Sequence, residues 1–96
     1  MTPLTRWRRR RALLREAGET ERDAMGWERF TLSYLASRYD VRPADRAYVL
    51  EESLAGRPTT WRTATRLLAV EIPKWQLEMI RKHRRRAREL REEAKR

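Results

Sequence analysis

The sequence predicts an all-α fold, a single small domain of about five helices packed around a central apolar helix, with a long basic helix at the C-terminus. Three observations lead there. First, residues 24–39 read AMGWERFTLSYLASRY, and on a helix their apolar and aromatic side chains cover everything but a narrow strip near Arg29 and Ser33. A helix that apolar has to be enclosed by others. Second, the segments on either side carry narrower apolar stripes at steps of three and four. Third, the three glycines and four prolines fall at helix ends or connections, Gly26 excepted, and no strand pattern or internal repeat stands out.

The elements follow in order. Thr2-Pro3 combines an N-cap hydroxyl with proline at the first helical position, so a first helix is expected over 3–17, with Leu4, Trp7, Leu14 and Ala17 on one side and Gly18 as its stop. Thr20-Glu21-Arg22-Asp23 resembles a capping box and opens the central helix, 21–39. Gly26, one turn in, is expected to mark the close approach of a neighbouring helix. Arg42-Pro43 starts a third helix over 43–55, buried through Ala47, Leu50 and Leu54 and closed by Gly56 ahead of Pro58. Thr59 or Thr60 caps a fourth, 60–71, with Trp61, Ala64, Leu67 and Leu68 inward and Arg62, Thr63 and Arg66 outward. Pro73 then breaks or kinks the chain. A last helix, 73–95, shows the stripe Trp75, Met79, His83, Ala87, Leu90 and Ala94. At about 36 Å it would outrun a compact domain of about 13 Å radius of gyration, so the part after about Ala87 is expected to project from the core or to pair with another molecule.

Composition excludes several function classes. The 96 residues suffice for one modest core. Without cysteine there is no disulfide or thiolate chemistry, and with one histidine, His83, no zinc site of the usual kind is expected. The longest apolar run, Leu67 to Val70, is far too short to span a membrane, and arginines occupy the place where a signal peptide would be apolar. A soluble intracellular chain, cytoplasmic or nucleoid-associated, is the expectation. No nucleophile–base set, glycine-rich phosphate loop or metal spacing appears, and Glu51-Glu52 diverge on a helix, so no enzyme activity, metal or cofactor is expected.

Charge is the feature that points to a partner. The chain holds 24 basic and 14 acidic residues, net +10, and the excess sits at the ends: residues 1–18 carry +5, 19–56 carry −3, 57–73 carry +2 and 74–96 carry +6. Only three of the basic residues are lysine, and the arginine fork grips phosphate at two points where lysine cannot. Arg8, Arg9, Arg10 and Arg11 beside Trp7 suit phosphate contact with stacking; the same composition also suits an interfacial membrane helix. Arg81, Lys82, Arg84, Arg85, Arg86, Arg88 and Arg91 surround a thin apolar stripe. Pairs four apart (Glu78 with Lys82, Arg85 with Glu89, Arg88 with Glu92, Glu92 with Arg96) would neutralise only part of this charge. A helix-turn-helix about Gly56-Arg57-Pro58 would place Arg62, Thr63 and Arg66 against base edges, although Arg57 stands where that motif wants a buried residue.

The reading is a non-enzymatic nucleic-acid-binding protein contacting backbone phosphates, with candidate contacts at Arg8, Arg9, Arg10, Arg11, Arg62, Arg66, Arg81, Arg84, Arg85 and Arg88. DNA and RNA both stay open as partners, alone or within a larger nucleoprotein complex. The alternative is a small assembly, adaptor or inhibitor protein, phage-encoded or part of such a complex, docking its basic helices on an acidic protein surface with Trp7 or Trp75 as anchor. The stripe Ala87, Leu90, Ala94 would also allow an antiparallel homodimer, opposed by like charge. His83 is expected to be a satisfied, half-buried side chain.

Overall fold

The computed structural model describes residues 2–57, 59–62 and 65–96, which form three helices and a two-stranded hairpin. The mostly helical character agrees with the sequence reading; the helix count and the enclosed central helix do not.

α1 runs unbroken from Pro3 to Tyr39. Thr2 caps it as expected, its hydroxyl accepting from the Thr5 N–H at 3.1 Å. Its end is set by Asp40, whose φ of 53° is left-handed, a geometry that a short polar side chain tolerates. Two predicted helices are therefore one. Gly18 does not stop the helix, and Thr20, in place of capping, donates its hydroxyl to the Glu16 carbonyl at 2.8 Å, as a mid-helix threonine does.

The reason for the continuity lies across the chain, on α3 (Lys74–Lys95), which packs antiparallel along α1. Ala17, Ala24 and Thr31 are buried at steps of seven on α1, and α3 buries Gln76, Leu77, Ile80, Ala87, Leu90 and Ala94. Such spacing is that of a coiled-coil seam, and small residues in it let the two backbones approach closely. Bridging this seam stabilises helix through a glycine that would cost only about 1 kcal/mol against alanine. The buried pair Thr31 and Gln76, bonded at 2.9 Å between Oγ1 and Oε1, closes the seam at its inner end. The C-terminal part of α3, expected to project, thus lies on α1, and the Ala87, Leu90, Ala94 stripe is covered within the chain. Its first half is rotated from the expected stripe: Gln76, Leu77 and Ile80 are buried while Trp75 is 51% exposed.

α2 (Pro43–Leu54) matches the predicted third helix, including the stop at Gly56, whose φ is 76°. Its buried residues are Val49 and Leu50, with Leu54 half-buried and Ala47 exposed. The predicted fourth helix is instead a hairpin, β1 (Thr60–Arg62) against β2 (Leu67–Ala69), pairing Trp61 with Leu68. β-Branched Thr59 and Thr60 and the aromatic Trp61 favour extended backbone there. Trp61 and Leu68 are half-buried, as the helical reading also wanted, but Leu67 is exposed, and Ala64 and Thr63 lie outside the described residues.

The core sits where the second half of α1, α2, the hairpin and the start of α3 meet: Leu35, Val41, Val49, Leu50, Ile72, Leu77 and Ile80, with Trp27, Leu32, Tyr39 and Trp61 against it. Tyr34 and Tyr39 both donate to the Glu71 carbonyl at 3.2 Å, tying the exit of the hairpin to α1. The other end of α1 has no such cover. The molecule is consequently a rod, 65 × 21 × 19 Å.

Candidate nucleic-acid interface

Every residue from Thr2 to Ala12 is exposed, and burial on α1 begins in earnest only at Ala17. Residues 3–15 form an arm about 20 Å long, exposed throughout except for the half-buried Leu13. This segment contains Arg6, Arg8, Arg9, Arg10, Arg11 and Arg15 and no acidic residue. None of the six makes an ion pair with a described residue. Arg11 lays its guanidinium over the Trp7 ring, 5.2 Å from the centroid, and Trp7 itself is 54% exposed. The four expected contacts Arg8 to Arg11 are thus brought together in the open. Arg6 and Arg15 belong to the same cluster; the absence of acids between Pro3 and Arg15 was the signal that would have included them.

α3 divides its cations into two groups. Arg81 caps α2, donating to the Leu54 carbonyl at 2.8 and 3.2 Å and to that of Ser53 at 3.4 Å, where the helix dipole is negative. Arg84 bonds Glu28 of α1 at 2.8 Å and both oxygens of Glu51 of α2 at 2.6 and 3.1 Å. Glu51 holds the guanidinium firmly protonated, and Arg84 in turn keeps the Glu51 carboxyl below its ordinary range. Arg91 forks onto Glu21 at 2.6 and 2.9 Å, and Arg86 lies 3.7 Å from Glu16. These side chains hold the helices to one another. The expected pairs four apart along α3 do not form; its internal pairs are three apart, Arg81–Glu78, Arg86–Glu89 and Lys95–Glu92. Arg85 and Arg88, one turn apart on the outer face, are exposed and make no ion pair with a described residue.

The hairpin removes the helix-turn-helix: among the described residues between α2 and α3 none is helical. Arg62 and Arg66 are exposed on the hairpin and its connection, at the far end of the rod from the arm, and Thr63 lies outside the described residues. Arg57, misplaced for the motif, is paired with Glu52. His83 is half-buried with Nδ1 at 2.7 Å from the Met79 carbonyl, the satisfied histidine expected.

Compared with known proteins, the chain matches no family model, no curated protein and no solved structure. Its own geometry is what bears on function.

One further surface was hidden in the sequence. Trp27, Phe30 and Trp75 meet edge to face or tilted, with centroids 5.8–6.0 Å apart, and Phe30 and Trp75 are each 51% exposed. Their helical spacing suggested burial; they flank the α1–α3 seam instead. No helix among the described residues is long and apolar enough to cross a membrane.

Proposed function

We propose that this chain is a non-enzymatic nucleic-acid-binding protein that grips backbone phosphates with the arm of α1, Arg85 and Arg88 adding a second point of contact. The observation that carries this is the arm itself: six arginines, no acid, on an exposed helix that no part of the described body covers. Unpaired guanidinium groups in water neutralise phosphate and release its counterions, which is the driving force of polyanion binding. Arg81 and Arg84 drop from the contact set because their donors are engaged within the fold.

The test is fluorescence anisotropy with labelled duplex DNA, single-stranded DNA and structured RNA across salt concentrations. If six phosphates of duplex DNA are engaged, log K falls against log salt with a slope of about −5. Removal of residues 2–12 abolishes binding while the far-ultraviolet circular dichroism of the remaining helices persists. Negligible binding to all three ligands at low salt overturns the proposal.

A second reading, an adaptor docking on a protein, is supported by the exposed Phe30 and Trp75, which rest on the half-buried Trp27, since aromatic anchors dominate protein interfaces. Such a partner would be lost on Trp75→Ala and kept when the arm is removed.

A further inference from the structure

The arrangement of side chains around the arm narrows the ligand beyond a polyanion in general. At about 100° per residue, Leu4, Trp7 and Leu14 share one edge of the helix, and Arg11 lies within that edge, stacked on Trp7. Measured from the middle of this edge, Arg8 and Arg15 stand about 70–90° to one side and Arg6 and Arg10 about 70–110° to the other. Arg9 lies at the back. Glu16, the first acidic residue of the chain, is at the back too, within 3.7 Å of Arg86.

A helix that lay along a single phosphate strand would need cations on one side only. Two cationic flanks, with an edge of Leu4, Trp7 and Leu14 between them on which Arg11 is folded over the Trp7 ring, match two phosphate rows with base edges between them, which is the cross-section of a groove. The arm is α-helical, and an α-helix with its side chains is about 10–12 Å across. The major groove of B-form DNA, about 12 Å wide, admits one, and its floor presents thymine methyl groups to apolar side chains. The major groove of A-form RNA is deep and narrow and closed to side-chain reading. The free length of the arm, about 20 Å, lets it lie in the groove before the body of the rod meets the duplex.

We propose that the arm binds in the major groove of duplex B-form DNA, with Leu4, Trp7 and Leu14 toward the base edges, Arg8 and Arg15 on one phosphate wall and Arg6 and Arg10 on the other. This rests on the nucleic-acid reading above and goes further in naming the form of the ligand and the orientation of the helix in it.

The experiment uses the full chain with a 20-base-pair DNA duplex, the RNA duplex of the same sequence, and two competitors of known groove preference, methyl green for the major groove and netropsin for the minor. The DNA duplex binds more tightly than the RNA duplex, methyl green competes and netropsin does not. Among single variants, Arg6→Ala, Arg8→Ala, Arg10→Ala and Arg15→Ala each weaken binding about fivefold at about 0.15 M salt and reduce the salt slope by about one. Arg9→Ala leaves both nearly unchanged. All five positions are exposed, and circular dichroism of each variant checks that the helices are intact. Equal or tighter binding to the RNA duplex, competition by netropsin, or an Arg9→Ala loss as large as that of the flanking arginines overturns the groove assignment while leaving phosphate binding standing. Absence of binding to the DNA duplex, the RNA duplex and single-stranded DNA alike overturns both.

Discussion

Arg84 projects from α3 to Glu28 on α1 and Glu51 on α2, so one guanidinium joins all three helices. Arg91 and Glu21 make a second, two-point clasp nearer the arm. Both pairs are partly exposed, so each stabilises modestly and is weakened by salt. Their pH dependence has a definite sign. The Arg84 and Arg91 guanidinium groups hold the Glu51 and Glu21 carboxyls below their ordinary range. A carboxylate whose folded-state pKa is depressed contributes stability that is complete above the unfolded value of about 4.3 and is lost as pH falls through the folded one. Thermal unfolding should therefore be level between about pH 7 and 5 and decline below about pH 4.3. In the double variant Glu21→Gln with Glu51→Gln, the melting temperature is lower at neutral pH and the acid-side decline is shallower. An unchanged decline would show that these two clasps do not govern it.

At the scale of the element, α1 bears two glycines in its interior. A Cβ built at Gly26 meets nothing within 4 Å, and at Gly18 only the tip of Arg22 at 4.0 Å. The close helix approach expected at Gly26 is absent, since that position is exposed and α3 lies on the other side, against Ala24. Gly18→Ala and Gly26→Ala should each raise stability by about 0.5–1 kcal/mol, read as a higher urea midpoint at constant m-value. A destabilised Gly18→Ala would point to a bend at that residue.

The same helix shows which signals in a sequence carry over to structure. Thr2-Pro3, Pro43, Gly56 and Pro73 all mark real boundaries, because a cap or a proline acts on its own few residues whatever the rest of the chain does. Gly18 and Thr20 resemble a boundary equally well, but there the local preference is small and the seam between α1 and α3 outweighs it. That seam is faint in the sequence because it is made of Ala17, Ala24 and Thr31, residues of little hydrophobic weight beside Trp27 and Phe30 at its margin. The hairpin of β1 and β2 is faint in the sequence for a different reason. Two three-residue strands offer too short a pattern to distinguish period two from period three and a half, and Trp61 and Leu68 fit either.

At the scale of the whole molecule, the rod sets the acid-free arginine arm at one end of its long axis and the packed core toward the other. The radius of gyration is 17.7 Å, against about 13 Å for a compact chain of this length. Small-angle scattering on the monomer should return the larger value, and a value near 13 Å would mean the arm folds back on the body. The candidate interface was half legible from sequence. The acid-free run of arginines at the N-terminus could be read directly, since it needs no partner to define it. Which α3 arginines stay free could not, because Arg84 and Arg91 are engaged by Glu28, Glu51 and Glu21, whose proximity only the tertiary fold creates.

The unbroken course of α1 has a consequence for anything assembled on this chain. With no joint between Trp7 on the arm and Trp27 beside the core, the helix is a ruler of about 30 Å between them. Whatever holds the arm also sets the distance, and the direction, at which the Trp27, Phe30 and Trp75 cluster is presented. Adding or deleting two residues between Glu19 and Asp23 would turn that presentation by more than half a circle, with little change in reach.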